Sequence, residues 1–362
     1  MTDAQKTKLM QHCLELAQKG EGNVSPNPMV GCVIVRDNKI VGEGYHHKFG
    51  GPHAEVYALR QAGKKAKDAT LFVSLEPCSH FGKTPPCADA IVAAGIKNVC
   101  VAMKDPNPLV SGKGIRKLQQ AGIKVEVGIL KNEAEALNEK FMTFMKTGLP
   151  FVAVKIAQTL DGNIADAWGN SKWITSEQSR RVVHQLRSEY DAVMVGARTV
   201  ELDNPELTVR LVKGKNPIRI VVDGKLSFSA SRKIFQTADA RTIVVTSSMA
   251  MGRNPRKAHQ FEKLGVRILA IGSNPKLPPM SILKALSQEH ISSVLIEGGS
   301  QTIASFLDAN VVQKLYCFIA PKILGSGLQG LVRSQKRISE IIHLKNISYN
   351  LFGEDVFIEG YL

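Results

Sequence analysis

The sequence predicts two consecutive α/β domains, and three observations carry that prediction. The chain has 362 residues, and domains of ~150 residues are usual, which suggests about two. Apolar runs of strand length alternate with helical patterns along most of the chain. Thr147-Gly148-Leu149-Pro150 ends one helical pattern and precedes a fresh apolar strand. A boundary is therefore expected there, with one domain over 1–146 and a second over 150–362.

The elements follow in order. Residues 4–19 place Leu9, Cys13, Leu16 and Ala17 at helical spacing, and Gly20 follows as a stop. The apolar runs 29–35 and 39–44, joined by Arg36-Asp37-Asn38, read as a hairpin. Helices are expected at 53–63, 88–94 and 114–121, with a longer one at 133–146; strands are expected at 70–75, 98–103 and 124–127. In the second domain, strands are expected at 151–156, 192–195, 218–222, 242–246, 266–271, 293–296 and 314–319. Helical stretches near 176–188, 255–264, 281–289 and 301–308 separate most of them. The sequence contains no internal repeat and no low-complexity segment.

Lys plus Arg is 47 and Asp plus Glu is 32, a formal net charge of +15. Such an excess favours an anionic partner: nucleic acid, an anionic membrane or a phosphorylated small molecule. A hydrophobic fraction of 44% with 22% charged residues excludes a disordered chain. No window reaches the ~18 consecutive apolar residues of a membrane span. The first twenty residues carry Asp3, Lys6, Lys8 and Glu15 and lack an apolar signal core. Six cysteines are too few for a disulfide scaffold of this length. A reducing cytoplasm is expected, where paired Cys and His are tested first as metal ligands.

His53-Ala54-Glu55 opens a helix, and Pro77-Cys78 and Pro86-Cys87 follow. A catalytic zinc takes three protein ligands and keeps one position open for water, and one His with two Cys meets that count. Cys87 stands at a helix start, where the thiolate form is favoured. Glu55 is too close to His53 for easy shared ligation, but is placed to carry protons for a bound water. This matches the zinc nucleobase-deaminase pattern H-x-E with P-C-x-x-C, except that eight residues separate the cysteines instead of two. Any one of these residues alone reads as easily as a buried thiol or a polar helix start; the set does not.

Three stretches resemble the deaminase half of the bifunctional deaminase/reductase family of riboflavin biosynthesis. They are Ser25-Pro26-Asn27-Pro28, Gly51-Pro52-His53-Ala54-Glu55 and Glu76-Pro77-Cys78-Ser79-His80-Phe81-Gly82-Lys83-Thr84-Pro85-Pro86-Cys87. The long insert between the cysteines is typical of that family. The resemblance implies a cytidine-deaminase-like α/β/α sandwich, zinc on His53, Cys78 and Cys87, and Glu55 as proton shuttle. It also implies that Asn27, His46, Lys83, Asp105 and Asn107 hold the substrate. The residues themselves are compatible. Lys83 offers a point charge for phosphate, Asn27 lies between stiffening prolines, and Asp105-Pro106-Asn107-Pro108 follows a strand. Lys83 is equally readable as a solvated loop lysine, the Asx-Pro pairs as turns, and His46-His47 as polar surface. His80, inside the insert, is not counted among the ligands.

The second half lacks a G-x-G-x-x-G after a strand. Glu297-Gly298-Gly299-Ser300-Gln301-Thr302 leads from a strand into a helix, where backbone N–H groups could meet an anion. Gly-Gly alone reads as well as a tight turn. The segments 154–162, 171–175, 196–200, 203–210 and 297–299 resemble the reductase half of the same family. That likeness implies a dihydrofolate-reductase-like α/β domain using NADPH. It implies cofactor contacts from Ala157, Trp173, Thr199, Asp203, Gly224, Gly299, Ser300, Gln301, Thr302, Ile303, Ala304 and Ser305. At Gly224 some relatives have Ser, so only a backbone contact is expected here. It implies substrate contacts from Ser171, Arg187, Leu207, Arg210 and Glu297. Arg187 and Arg210 are forked donors suited to a phosphate. Arg187 also reads as a solvated helix position and Trp173 as core, while Lys155 sits mid-strand among apolar residues without an evident reason.

The resemblance spans roughly residues 5–360, with the motifs in the family's order. It implies zinc-dependent deamination of 2,5-diamino-6-ribosylamino-4(3H)-pyrimidinone 5′-phosphate, then NADPH-dependent reduction of the ribosyl group. The expected partners are that phosphorylated pyrimidine and NADPH, with neither nucleic acid nor membrane, and the chain is expected to form a homo-oligomer, a dimer or tetramer. A nucleic-acid deaminase would interleave aromatic and basic residues, yet aromatics are 6%. A structural zinc scaffold would close the site with a fourth ligand and leave Glu55 idle.

Overall fold

The computed structural model describes residues 1–79, 86–107, 110–331 and 337–362. It divides into two compact units, Met1–Gly148 and Leu149–Leu362.

The first unit begins with α1 (Asp3–Gln18), started by a capping box in which Thr2 and Gln5 satisfy each other's backbone N–H groups. Then come β1 (Gly31–Arg36), β2 (Lys39–Tyr45), α2 (Ala54–Ala62), β3 (Thr70–Leu75), α3 (Cys87–Ala93), β4 (Asn98–Met103), α4 (Lys113–Gln120), β5 (Lys124–Val127), α5 (Lys131–Leu137) and α6 (Glu139–Thr147). The sheet order is β2-β1-β3-β4-β5. β1 runs antiparallel to β2 and β3, while β3, β4 and β5 are parallel. Cys32–Val35, Leu71–Val73 and Val99–Met103 are buried without alternation, as strands covered on both faces must be. The parallel pairing places the ends of β3 and β4 side by side, which brings the loops at 76–79 and 104–107 together.

The single helix expected at 133–146 is two helices. Asn138 breaks it with φ −105° and ψ 22°. Its side chain is buried and pairs with the backbone of Met29: Oδ1 accepts from Met29 N–H at 2.8 Å and Nδ2 donates to Met29 O at 3.0 Å. That long-range pairing overrides helix propensity.

The second unit comprises β6 (Phe151–Thr159), β7 (Asn163–Asp166), α7 (Glu177–Glu189), β8 (Ala192–Gly196), α8 (Ala197–Asp203), β9 (Ile218–Val222), α9 (Lys233–Gln236), β10 (Thr242–Thr246), α10 (Ser248–Arg253), α11 (Pro255–Lys263), β11 (Arg267–Ala270), α12 (Pro279–Gln288), β12 (Ser293–Gly298), α13 (Ser300–Asp308), β13 (Lys314–Ala320), β14 (Gly327–Gln329), β15 (Lys345–Phe352) and β16 (Asp355–Tyr361). The main sheet runs β11-β10-β9-β8-β12-β6-β13-β16-β15. It is parallel from β11 to β13, and the last two strands are antiparallel. β7 and β14 form a small separate pair. Alternate residues of β6 serve two apolar layers, Val152, Val154 and Ile156 in one and Phe151 and Ala153 in the other.

The β15–β16 hairpin was not expected from the sequence. Asn346, Ser348 and Asn350 weaken the strand signal of β15. The alternating Ile347, Tyr349 and Leu351 face outward, 57%, 79% and 71% exposed. Among the described residues no helix is long and apolar enough to cross a membrane.

Candidate active sites

In the first unit His53, Cys78 and Cys87 converge. Their ligand atoms all lie within 4.8 Å of one another. His53 is the N-cap of α2, yet its side chain makes no cap hydrogen bond and is directed at the cysteines. Cys78 lies just beyond the end of β3, and Cys87 is the first residue of α3. His53 Nδ1 is 3.2 Å from Cys87 Sγ and 3.6 Å from Cys78 Sγ. A tetrahedral zinc with ordinary Zn–N and Zn–S bonds sets N and S about 3.6 Å apart, so the donor set fits that ion. The Cys87 N–H donates to Cys78 Sγ at 3.3 Å. Cys78 is pushed down to about 4, first by the hydrogen bond from the Cys87 thiol, while Cys87 is raised by that same bond and by burial, so the thiolate sits on Cys78 and not on the helix-start Cys87 as expected.

Glu55 follows two residues after His53 in the first turn of α2. It is buried, and burial raises its pKa. Beside burial, its carboxyl feels His53 first and then the cysteines, which places a proton-carrying group near the cluster. His46 is buried with its ring edge-on to His53, 5.5 Å between centroids. Its Nδ1–H donates to Pro52 O at 3.0 Å, which leaves Nε2 to accept from Asn27 Nδ2 at 3.3 Å. His46 is therefore fixed as a neutral ring, and burial lowers its pKa. Asp105 and Asn107 share the loop after β4, where Asp105 Oδ1 accepts from Asn107 N–H at 2.8 Å. Lys83 and His80 lie outside the described residues.

In the second unit a cleft of about 1280 Å³ opens above the ends of β6, β8, β9 and β12. Strand parity explains its charged floor. Lys155 continues the series Phe151, Ala153 on β6, and Glu297 follows Leu295 on neighbouring β12; Leu186 on α7 packs in that same layer, with Arg187 beside it. The three charged side chains therefore meet on one face. Arg187 Nε and Nη2 donate to the two Glu297 oxygens at 2.5 and 2.9 Å, and Lys155 Nζ stands 3.5 Å from Glu297 Oε2. Burial alone would raise Glu297; attraction first from Arg187, then from Lys155, holds it at about 2. Burial lowers the pKa of Lys155. Arg187 is thus a paired, largely buried cation and not a solvated helix residue.

The cleft is also lined by Ala157, Ser171, Trp173, Thr199, Asp203, Leu207, Arg210, Gly224 and Gly299–Ile303; Ala304 and Ser305 lie further along α13, outside its lining. Trp173 is not core: it is 67% exposed, and Arg180 stacks on it at 4.4 Å. Ser171 Oγ donates to Asp203 Oδ1 at 2.9 Å. Arg210 is half exposed and paired with Glu206 and Thr208. A Cβ on Gly224 would lie 1.8 Å from Pro275 O, so this backbone has no room for a serine. Sequence reasoning missed His184, one turn before Arg187 on α7. Its Nδ1 accepts from Arg210 N–H at 2.9 Å, and burial pushes it down to about 4. Spacing of three on one helix face was the available signal.

Fold and sites together define a two-domain enzyme, a zinc-type deaminase unit joined to a reductase unit. Comparison with known proteins narrows that class. Residues 3–103 match the cytidine and deoxycytidylate deaminase zinc-binding region, and residues 150–358 match the RibD C-terminal domain. The chain is 48% identical over 351 residues to riboflavin biosynthesis protein RibD of Aquifex aeolicus, covering 96% of each. It is 42% identical over 335 residues to that of Escherichia coli, covering 89% of each. Among solved structures it is similar to Acinetobacter baumannii RibD (TM-score 0.91, 37% identity, 99% of each chain). It is likewise similar to a Thermotoga maritima diaminohydroxyphosphoribosylaminopyrimidine deaminase/5-amino-6-(5-phosphoribosylamino)uracil reductase (TM-score 0.88, 41% identity, 99% of each chain). The chain belongs to the RibD family.

Proposed function

We infer that the chain performs two consecutive steps of riboflavin biosynthesis. The first unit hydrolytically deaminates 2,5-diamino-6-ribosylamino-4(3H)-pyrimidinone 5′-phosphate. The second reduces the ribosyl side chain with NADPH to give 5-amino-6-(5-phosphoribitylamino)uracil. The observation that carries the reading is the His53–Cys78–Cys87 cluster against buried Glu55, in a chain whose other unit opens a cleft around Glu297.

His53, Cys78 and Cys87 hold zinc, which supplies Lewis-acid activation of water. Glu55 takes a proton from the attacking water and delivers it to the departing ammonia. Asn27 and His46 orient the pyrimidine as a pre-formed pair, Asp105 and Asn107 hold it from the β4 loop, and Lys83 takes the phosphate.

In the second unit Ala157, Trp173, Thr199, Asp203, Gly224 and the segment 299–303 hold NADPH, which supplies a hydride; Ala304 and Ser305, outside the cleft lining, are left out of that set. Arg210, the more exposed arginine, meets the substrate phosphate. Ser171 and Leu207 line its approach. Glu297, locked by Arg187, faces the sugar, and Lys155 gives up a proton to the ring oxygen as the ribose opens.

The enzyme is read as cytoplasmic, in keeping with six free cysteines, and as a homo-oligomer, dimer or tetramer, in keeping with the outward apolar stripe on edge strand β15. Light scattering tests the assembly. The activity is tested by supplying the diaminopyrimidine phosphate with NADPH and recording ammonia release and nicotinamide absorbance separately. Ammonia release should precede NADPH consumption; NADPH oxidation without ammonia would refute the order.

A further inference from the structure

Glu76 directly follows β3, the strand that leads to Cys78, yet it takes no part in the site described above. Its side chain is buried and accepts four backbone N–H groups. Oε2 receives those of Asp105 (3.3 Å) and Gly112 (2.9 Å), and Oε1 those of Gly114 (3.0 Å) and Ile115 (3.2 Å). α4 has no capping side chain of its own, since Gly112 holds its N-cap position. The Glu76 carboxylate therefore caps α4 from a neighbouring strand and complements the helix dipole. The contact is close: a Cβ on Gly114 would fall 1.9 Å from Pro77 O.

The hydrogen bonds link the described residues on either side of 108–109 into one network. Glu76 holds Asp105 N–H, Asp105 Oδ1 holds Asn107 N–H, and Asn107 O accepts from Val110 and Ser111, both at 2.9 Å. The network returns to Glu76 through Gly112. We propose that Glu76 is a positioning residue for deamination, locking the loop that presents Asp105 and Asn107 in register with the adjoining metal ligand Cys78. This rests on reading Asp105 and Asn107 as substrate contacts, and the experiment separates the two ideas.

The test is a double-mutant cycle on the full-length, zinc-loaded enzyme with Glu76→Gln, Asn107→Ala and the pair. Glutamine keeps one acceptor oxygen but turns an NH₂ toward two N–H donors. Glu76→Gln should retain one zinc per chain and full reductase activity. It should raise the deaminase KM about tenfold and lower kcat much less. The pair should be no worse in KM than Asn107→Ala alone within about twofold, because both changes remove the same contact. A normal KM in Glu76→Gln beside a raised KM in Asn107→Ala overturns the positioning role, as do multiplicative effects in the pair. A normal KM in Asn107→Ala overturns the substrate reading beneath it. If Glu76→Gln binds less than one zinc, Glu76→Asp, which keeps the charge and shortens the reach, replaces it in the cycle. Additivity there overturns the proposal equally.

Discussion

Replacing Glu297 by Gln tests whether the charged floor of the second unit is organised as described. The Lys155, Arg187 and Glu297 side chains are only 12%, 12% and 4% exposed. A neutral amide at this position would leave two cations facing each other with no anion between them. The magnitude follows from the carboxyl itself. It is held at about 2 instead of 4.5, and each pH unit is worth about 1.4 kcal/mol, so the charged form contributes about 3 kcal/mol. Removal of one partner from a buried pair costs roughly 3–5 kcal/mol, which agrees. The folded value lies below the unfolded one. The contribution is therefore complete above about 4.5 and is lost as pH falls towards 2. Urea unfolding of this unit is followed by hydrogen exchange of the paired amides of β6 and β12, because that pairing belongs to the second unit alone. The wild-type advantage over Glu297→Gln should be about 3 kcal/mol at neutral pH and shrink steadily below 4.5. Reductase turnover should fall while ammonia release is unchanged. A difference under about 1 kcal/mol at neutral pH, or one independent of pH through that window, would refute the arrangement.

Other perturbations separate the two chemistries. Glu55→Gln should lower deamination roughly 10²–10⁴-fold, the range for a lost general acid–base. Zinc should stay bound, and reduction of the deaminated substrate should continue; loss of zinc would make Glu55 a ligand instead. Arg210→Ala should raise the reductase KM for the phosphorylated substrate roughly 10–100-fold and leave that of the dephosphorylated compound unchanged. An equal effect on both would remove Arg210 from the phosphate. Asn138→Ala strips both backbone groups of Met29 of their partner and should cost the first unit about 2 kcal/mol in denaturant melts. A neutral result would mean that water replaces the amide.

What was legible in the sequence was mostly local. Glu55 follows His53 by two residues, so one helix start delivers both, and each Pro-Cys pair marks a strand end or a helix start. The parallel strands announced themselves as unbroken apolar runs because helices cover both faces. The unread features depend on partners far along the chain. Asn138 breaks a helix because Met29, 109 residues away, offers both halves of a peptide group. Lys155 looked unexplained in its strand because its counter-charge sits on β12. Arg187 looked like surface because only its meeting with Glu297 buries it.

The division has a physical cause, and it bears on the net charge of +15. Groups that do chemistry must sit at chain positions whose backbone geometry aims them, and strand ends and helix starts have local signatures. The groups that hold them in place need only arrive from somewhere, and strand pairing brings them from any distance. Arg187 arrives in this way and shares its partner with Lys155: each counts toward the excess in the sequence, yet the one Glu297 carboxylate holds both, so the set carries a single net positive charge on the cleft floor. On the function proposed above, a dinucleotide or sugar phosphate entering there would meet a modest local field, not the charge of the whole chain, and its recognition would fall to individual cations such as Arg210. Added salt should therefore weaken non-specific adsorption of the protein to polyanions far more steeply than it raises the reductase KM. Parallel salt slopes for the two would show instead that the overall charge draws the substrates in.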